Sequence, residues 1–343
     1  MLITEFDYEL PEELIAQEPL EKRESSRMLV VNRAENAFLD ERFFNFPEFL
    51  KKGDLVVLNN TKVFPARLFG VSGTGARIEV FLVRETEKGI WETLARPARR
   101  LRAGKRIVFG ERLAAEVLEK TEEGRVLVRF ESDGDFDSLL DEIGKTPLPP
   151  YIKRDEGNSD KDRERYQTVF AREKGAIAAP TAGLHFTPAI LEEIKALGAQ
   201  LAEITLHVGY GTFEPVRVSD LSEHRVMPER YEISQETAEI LNKARMEKRR
   251  IIAVGTTTTR ALESAAEDGG KIRAGKNLAD LTITPGCKFK VVDGLLTNFH
   301  LPQSSLLVLV STFAGHELIM KAYKHAVVQR YRFYSYGDCM LIL

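Results

Sequence analysis

The sequence predicts an α/β main domain, discontinuous in sequence at residues 1–65 and 135–343, with an inserted antiparallel β-barrel domain at 66–134. Three observations carry this expectation. Short alternating runs broken by glycine fill the stretch from about 66 to 131, continuous apolar runs stand on both sides of it, and capped, patterned helices follow residue 134.

Taken in order, GDLVVLNN at 53–60 reads as a buried strand, apolar on both faces. ARLFG, ARIEVFLVRE, IWETLARPA, KRIVFG, LAAEVLEK and RVLVRFE then read as about six strands, enough to close a small barrel. The glycines of GVSGTG at 70–75 lack a dinucleotide spacing and suit a hairpin. After 134 the texture is mixed. A helix is expected behind Thr187 as N-cap, with Pro188 first, Ile190, Leu191, Ile194 and Leu197 on one face, and Gly198 to stop it. A second helix is expected over about 235–250, starting behind Ser234 and ending in Lys248, Arg249 and Arg250. IIAVG at 251–255 reads as a buried strand feeding a Thr-rich turn and then the helix RALESAAED. The apolar run LLVLVSTFA at 306–314 is about half of the ~20 residues that span a bilayer, so it is expected to be buried in the protein.

Charge narrows the function classes. With 49 Lys and Arg against 52 Asp and Glu, the net charge of −3 excludes the strongly basic signature of a dedicated nucleic-acid-binding protein. The charge is nevertheless segregated: residues 62–134 hold 15 basic and 11 acidic residues, a balance of +4, which leaves −7 elsewhere. Two cysteines, Cys287 and Cys339, make no disulfide framework, and MLITEFDYELPEEL has neither the basic start nor the apolar run of a signal peptide. A cytoplasmic address is expected.

Several polar constellations carry possible chemistry, each with a plain alternative. RPARRLRAGKR at 96–106 concentrates Arg99, Arg100, Arg102 and Arg106, suited equally to phosphate contacts and to keeping a hairpin solvated. In GAIAAPTAGLHFTP, Thr181, Gly183 and His185 precede a helix start, where small residues and free amides admit an anion, or where they simply cap and pack. His207 begins the glycine-spaced segment LHVGYGTFEPVR, and His224, Arg225 and Glu229 follow within one short stretch; a His with a carboxylate is the apparatus of proton transfer, and also a common loop composition. Thr256, Thr257, Thr258 and Arg260 in GTTTTR either present groups to a nucleotide or cap a helix, and Asn298 and His300 in TNFHLP either reach a cleft at a sheet edge or form a buried hydrogen-bonded pair. No metal motif is present and the cysteines stand 52 positions apart, so no metal is expected.

The order of these blocks resembles the S-adenosylmethionine:tRNA ribosyltransferase-isomerase family of queuosine biosynthesis. The resemblance runs through ELPEELIAQEPLEKRESSRML, NNTKVFPARL, PLPPYIKR, RYQTVF, GAIAAPTAGLHF, LHVGYGTFEPVR, VGTTTTRALES, KVVDGLLTNFHLPQSSLLVLVSTFAG and YRFYSYGDCMLI, nearly the whole chain outside the β insertion. It departs from the family pattern at Pro228, where a second histidine is expected, and at Thr259, Cys287 and Cys339.

The resemblance implies an α/β enzyme with an inserted barrel. It implies transfer of the ribosyl part of S-adenosylmethionine, a consumed cosubstrate, to 7-aminomethyl-7-deazaguanine at the wobble position of tRNA. Rearrangement to the epoxycyclopentane of epoxyqueuosine follows, and adenine and methionine leave. No cofactor, metal or membrane is implied, and a monomer is expected. Proton removal beside the sulfonium needs a neutral base, for which His185 or His207 is preferred and His224 with Glu229 is secondary. Thr181, Gly183, Thr256, Thr257, Thr258, Arg260, Asn298 and His300 are the cosubstrate candidates. Tyr151 and Tyr166 are candidates for base stacking, and Lys153, Arg154, Arg99, Arg100, Arg102 and Arg106 for phosphate contact. Two rival readings fit the same residues: an ordinary methyltransferase, which would normally show a glycine-rich loop where GDLVVLNNTK stands, and a non-catalytic RNA-binding protein.

Overall fold

A computed structural model describes residues 1–121, 124–154, 160–213 and 216–343, without the side chains of Arg100, Asp160, Thr212 and Phe213. The chain opens with β1 (Arg27–Asn32) and β2 (Ala37–Arg42), then β3 (Leu55–Asn59) and the short β4 (Thr61–Val63). Next come β5 (Arg67–Ser72), β6 (Arg77–Glu87), β7 (Ile90–Arg96), β8 (Arg106–Val108), β9 (Leu113–Lys120) and β10 (Val126–Ser132). The remainder comprises α1 (Phe136–Ile143), α2 (Asp160–Arg165), β11 (Glu173–Ala176), α3 (Pro188–Ala196), β12 (Gln200–Leu206), β13 (Glu229–Ile233), α4 (Gln235–Met246), β14 (Ile251–Val254), α5 (Thr256–Ala265), β15 (Gly275–Ala279), β16 (Gly294–Asn298), α6 (Ser305–Ala314), α7 (His316–Val328) and β17 (Cys339–Ile342).

Strands from both ends of the chain build one mixed sheet in the order β15-β13-β12-β3-β14-β16-β17-β1-β2. Its centre is parallel, β12 with β3, β3 with β14 and β14 with β16, whereas β17 runs antiparallel to β16. Both faces are covered, which explains the continuous apolar runs. Leu55 and Val57, Ile251 and Ala253, Leu295, and Met340 and Ile342 pack beneath α4 to α7. Their neighbours Val56 and Leu58, Ile252 and Val254, Leu296, and Cys339 and Leu341 point the other way, towards α3 and the aromatic 3-10 segment Phe43–Phe49. Cys339 thus fills a core position, and burial raises its thiol pKa.

The six strands β10-β7-β6-β5-β8-β9 close into an antiparallel barrel drawn wholly from residues 67–132. Its interior is filled by Leu68, Ile78, Val80, Leu82, Ile107, Val117, Val126 and Val128, so any ligand must bind outside it. At Gly70 a β-carbon would stand 2.7–2.8 Å from Phe109, Ile107 and the Val108 carbonyl, which is why the strand needs glycine there. Ile177 and Leu140 insert into the barrel core from the α/β part and tie the two together.

Two helix expectations need correction. The second helix stops at Met246, because Lys248 turns the chain with φ +54° and Arg250 then pairs with Asp54 beside the next strand. The Thr-rich segment is no separate turn: Thr256 to Thr259 form the first turn of α5 itself, directly after β14. The run at 306–314 lies within α6 and is buried, and among the described residues no single helix is long and apolar enough to cross a membrane.

Candidate active site

Where β14 and β16 end side by side, a cavity of about 480 Å³ opens, a volume suited to a small organic ligand. Much of its wall is contributed by three stretches distant in sequence. Gly255, Thr256 and Thr257 come from the start of α5, Asn298 to Ser305 from the end of β16 into the start of α6, and His224, Val226, Met227 and Glu229 from the approach to β13 and its first residue. Thr181, Tyr151, Tyr166 and Tyr334 line it as well.

The start of α5 is electrostatically open. Its N-cap is Gly255, at φ +97°, so no side chain accepts from the first amides, and the partial positive charge of the helix end faces the cavity. Thr258 turns its hydroxyl back to the Val254 carbonyl at 2.7 Å, is fully buried, and does not line the cavity. α6 differs, because Ser304 caps it by accepting from Leu307 N at 3.2 Å.

Of the histidines, His224 and His300 border the cavity. His224 Nε2 lies 2.7 Å from Ser305 Oγ, and burial together with Arg225 lowers its pKa below the usual imidazole range. The ring is therefore neutral near pH 7, and an Nε2–H donated to Ser305 leaves Nδ1 with a lone pair. His300 Nε2 lies 2.8 Å from Thr297 Oγ1, and burial takes its pKa down to about 3, too weak for a base at neutral pH.

The two preferred histidines stand elsewhere. His185 is buried behind the cavity wall, between Ser26 Oγ at 2.8 Å from Nδ1 and Asn298 Nδ2 at 3.3 Å from Nε2. Burial, then the charges of Arg23 and Arg332, push its pKa down to about 3. Its neutral ring braces the Asn298 amide, which also donates to the Tyr334 carbonyl at 3.1 Å. His207 lies just past β12, with Nδ1 2.8 Å from Thr61 Oγ1 and the backbone of Gly175 against its ring, outside the cavity. A β-carbon on Gly175 would meet that ring at 2.8 Å.

Glu229 and Arg260 form a buried ion pair at 2.6 Å in the cavity wall. Glu229 also accepts from Gly209 N at 2.9 Å, and Arg260 donates to the carbonyls of Ala279 at 2.8 Å and Met227 at 3.2 Å. Both side chains are thus committed to holding the loop before β13, a supporting part rather than that of a base or a carboxylate receptor. Gly183 is a packing glycine as well: a β-carbon would stand 2.8 Å from Phe170 and Thr168.

The RNA candidates separate similarly. Tyr166 is fully buried, and Tyr151 packs against Tyr334 at 4.0 Å between ring centres, with its hydroxyl 2.7 Å from Ser335 Oγ. Both face the cavity rather than an outer surface. Arg154 grips Asp162 through two bonds of 2.9 Å, and exposed Lys153 pairs with Glu12. On the barrel, Arg106 pairs with Glu131 at 2.6 Å, whereas Arg99 and Arg102 are exposed with no ion-pair partner among the described residues. The Arg100 side chain lies outside the described residues.

Sequence reasoning missed Ser26, Ser305 and Tyr334, which position the polar groups it did select. Only their contacts, made across 81 residues for His224 and Ser305 and 159 for Ser26 and His185, distinguish them from ordinary serines. Among the described residues no group of three or more His, Cys, Asp or Glu is arranged to hold a metal.

Comparison with known proteins identifies the family. A family model described as queuosine biosynthesis protein matches residues 3–342. A protein of Syntrophotalea carbinolica named S-adenosylmethionine:tRNA ribosyltransferase-isomerase is 50% identical over 345 residues, covering 100% of both chains. One of Carboxydothermus hydrogenoformans with the same name is 51% identical over 344 residues, again covering 100% of both. A crystal structure of an S-adenosylmethionine tRNA ribosyltransferase from Thermotoga maritima is 40% identical, covers 99% of this chain and 100% of its own, and superposes with a TM-score of 0.56. With its mixed sheet, closed barrel and full-length match, the chain belongs to the queuosine biosynthesis protein family, as an enzyme of the ribosyltransferase-isomerase type.

Proposed function

We propose that the enzyme transfers the ribosyl moiety of S-adenosylmethionine to 7-aminomethyl-7-deazaguanine at the wobble position of tRNA and isomerises it, giving epoxyqueuosine-tRNA, adenine and methionine. The observation that carries the reading is the cavity in which a neutral, serine-anchored His224 shares a wall with the uncapped start of α5. The amides of Thr256 and Thr257 suit the carboxylate of the methionyl part, with Thr181 close by. His224 Nδ1 takes the proton from the carbon beside the sulfonium, where the positive sulfur stabilises the carbanion that forms. Asn298, held by His185, and His300 remain as polar partners for the nucleoside. An anticodon loop is single-stranded, so its wobble base enters such a cavity without the cost of melting a duplex.

Incubation with S-adenosylmethionine and tRNA carrying the deazaguanine is expected to release adenine and methionine in step with RNA modification. Recovery of S-adenosylhomocysteine would instead identify a methyltransferase, and tRNA binding with no product would leave a binding protein. The arginine-rich barrel loop, in which Arg99 and Arg102 are exposed, gives a separate expectation: Arg99, Arg100 and Arg102 replaced together by Ala weaken tRNA binding and flatten its dependence on salt. An unchanged slope in filter-binding titrations would return that loop to a role in solubility.

A further inference from the structure

A second, much smaller cleft, of about 20 Å³, adjoins the cavity through Ser335, which lines both. Arg23, Arg165, Ser26 and His185 form its wall, and the charge of Arg332 reaches His185 as well. Each guanidinium is held by main-chain carbonyls. Arg23 donates to Gln167 O at 3.2 Å, Arg165 to Glu21 O at 3.0 Å and to Leu20 O, and Arg332 to Glu18 O.

Among the described residues none of the three forms an ion pair. Their donors are also incompletely used: Arg165 Nε and Arg332 Nη1 are buried without an acceptor. The nearby carboxylates do not close the account. Glu24 and Glu164 act on Arg23 only from a distance, and Asp338 is occupied by the main-chain amides of Arg27 and Arg332, each at 2.8 Å. Burial and the like charge of Arg165 press on Arg23, a condition that a bound anion relieves.

We propose that Arg23 and Arg165 form a phosphate-binding cleft that takes a backbone phosphodiester of the RNA substrate next to the cavity. The cleft is too small for a base or a sugar, so it is the oxygens of a phosphate at its mouth that would meet the two guanidiniums. The inference rests on the proposed function, and chemistry selects the substrate: S-adenosylmethionine carries a sulfonium, an ammonium and a carboxylate but no phosphate, whereas every nucleotide of the RNA brings one. A phosphate held beside the cavity fixes the register of the strand, so that one base is presented to the site.

The test compares the Arg23→Gln/Arg165→Gln protein with Arg23→Lys/Arg165→Lys in tRNA titrations at several salt concentrations. The Gln protein is expected to bind tRNA about ten-fold more weakly, with the slope of log K against log salt reduced by about 1 to 2, and the Lys protein to keep the slope. Affinity for a non-reactive cosubstrate analogue should be the same in all three proteins. As a readout that needs no variant, bound tRNA should shield Arg23 and Arg165 of the unaltered enzyme from phenylglyoxal, measured by mass spectrometry, and inorganic phosphate should shield them only at much higher concentration. Unchanged tRNA affinity and slope, loss of analogue affinity instead, or no shielding by bound tRNA would each overturn the cleft while leaving the proposed function standing. Absence of any tRNA binding by the unaltered enzyme would overturn that function and the cleft with it.

Discussion

His224→Gln is expected to slow adenine release by about 10²- to 10⁴-fold, the range that a positioned general base supplies, with tRNA affinity unchanged. Glutamine preserves the size and polarity of the ring position but cannot accept the proton. The pH dependence has a definite sign. A base works deprotonated, so kcat/KM falls as pH decreases through the pKa of His224. Burial and Arg225 place that pKa below the ordinary imidazole value near 6.5, so the acid limb of the profile should lie on the acid side of it. Ser305→Ala frees the ring to rotate and should move the limb and lower kcat by a smaller factor than His224→Gln. Full turnover by the glutamine variant would remove His224 from the chemistry. His185→Asn then becomes informative in another way: it should disturb Asn298, and so KM for the cosubstrate, rather than eliminate proton transfer.

Breaking the Glu229–Arg260 pair should be the most damaging change to stability in the cavity wall. The side chains are only 5% and 9% exposed, so removing either partner leaves the other charge buried and unmatched, at a cost of about 3–5 kcal/mol. Arg260→Met alone and Glu229→Gln alone should each lower the urea midpoint strongly. The double replacement Glu229→Leu/Arg260→Met should recover most of the stability, because it removes the unmatched charge, yet leave the loop that carries Met227 less firmly held. Single variants destabilised by less than about 1 kcal/mol would show that water already compensates the pair.

The contrast between these residues shows what one-dimensional reading could reach. The barrel was legible because alternation with a period of two survives in a strand with one buried face, and β5 to β10 fall where that pattern runs. The buried strands β3 and β14 were legible as unbroken apolar runs, since both of their faces are covered. The end of α4 was not. Basic residues favour a helix C-terminus, but Lys248 enters the left-handed region and Arg250 finds Asp54, a partner far away in sequence. A Thr-rich turn or a Thr N-cap is what the local pattern after a buried strand suggests, but the helix starts directly after β14, with Gly255 as its N-cap and the threonines in its first turn.

By itself, the sequence determined the family, the division into a mixed sheet and an inserted barrel, and the pool of polar residues from which a site would be drawn. These properties follow from local patterns and from long blocks of residues read in order. Tertiary structure alone decided the surroundings of each residue within that pool. It enclosed His185 as a brace, left His207 outside the cavity, committed Glu229 and Arg260 to each other, and brought His224 to Ser305 beside the open end of α5. The physical reason is that a side chain's chemistry depends on its burial and on the partner opposite it, and both are set by contacts between segments far apart in the chain.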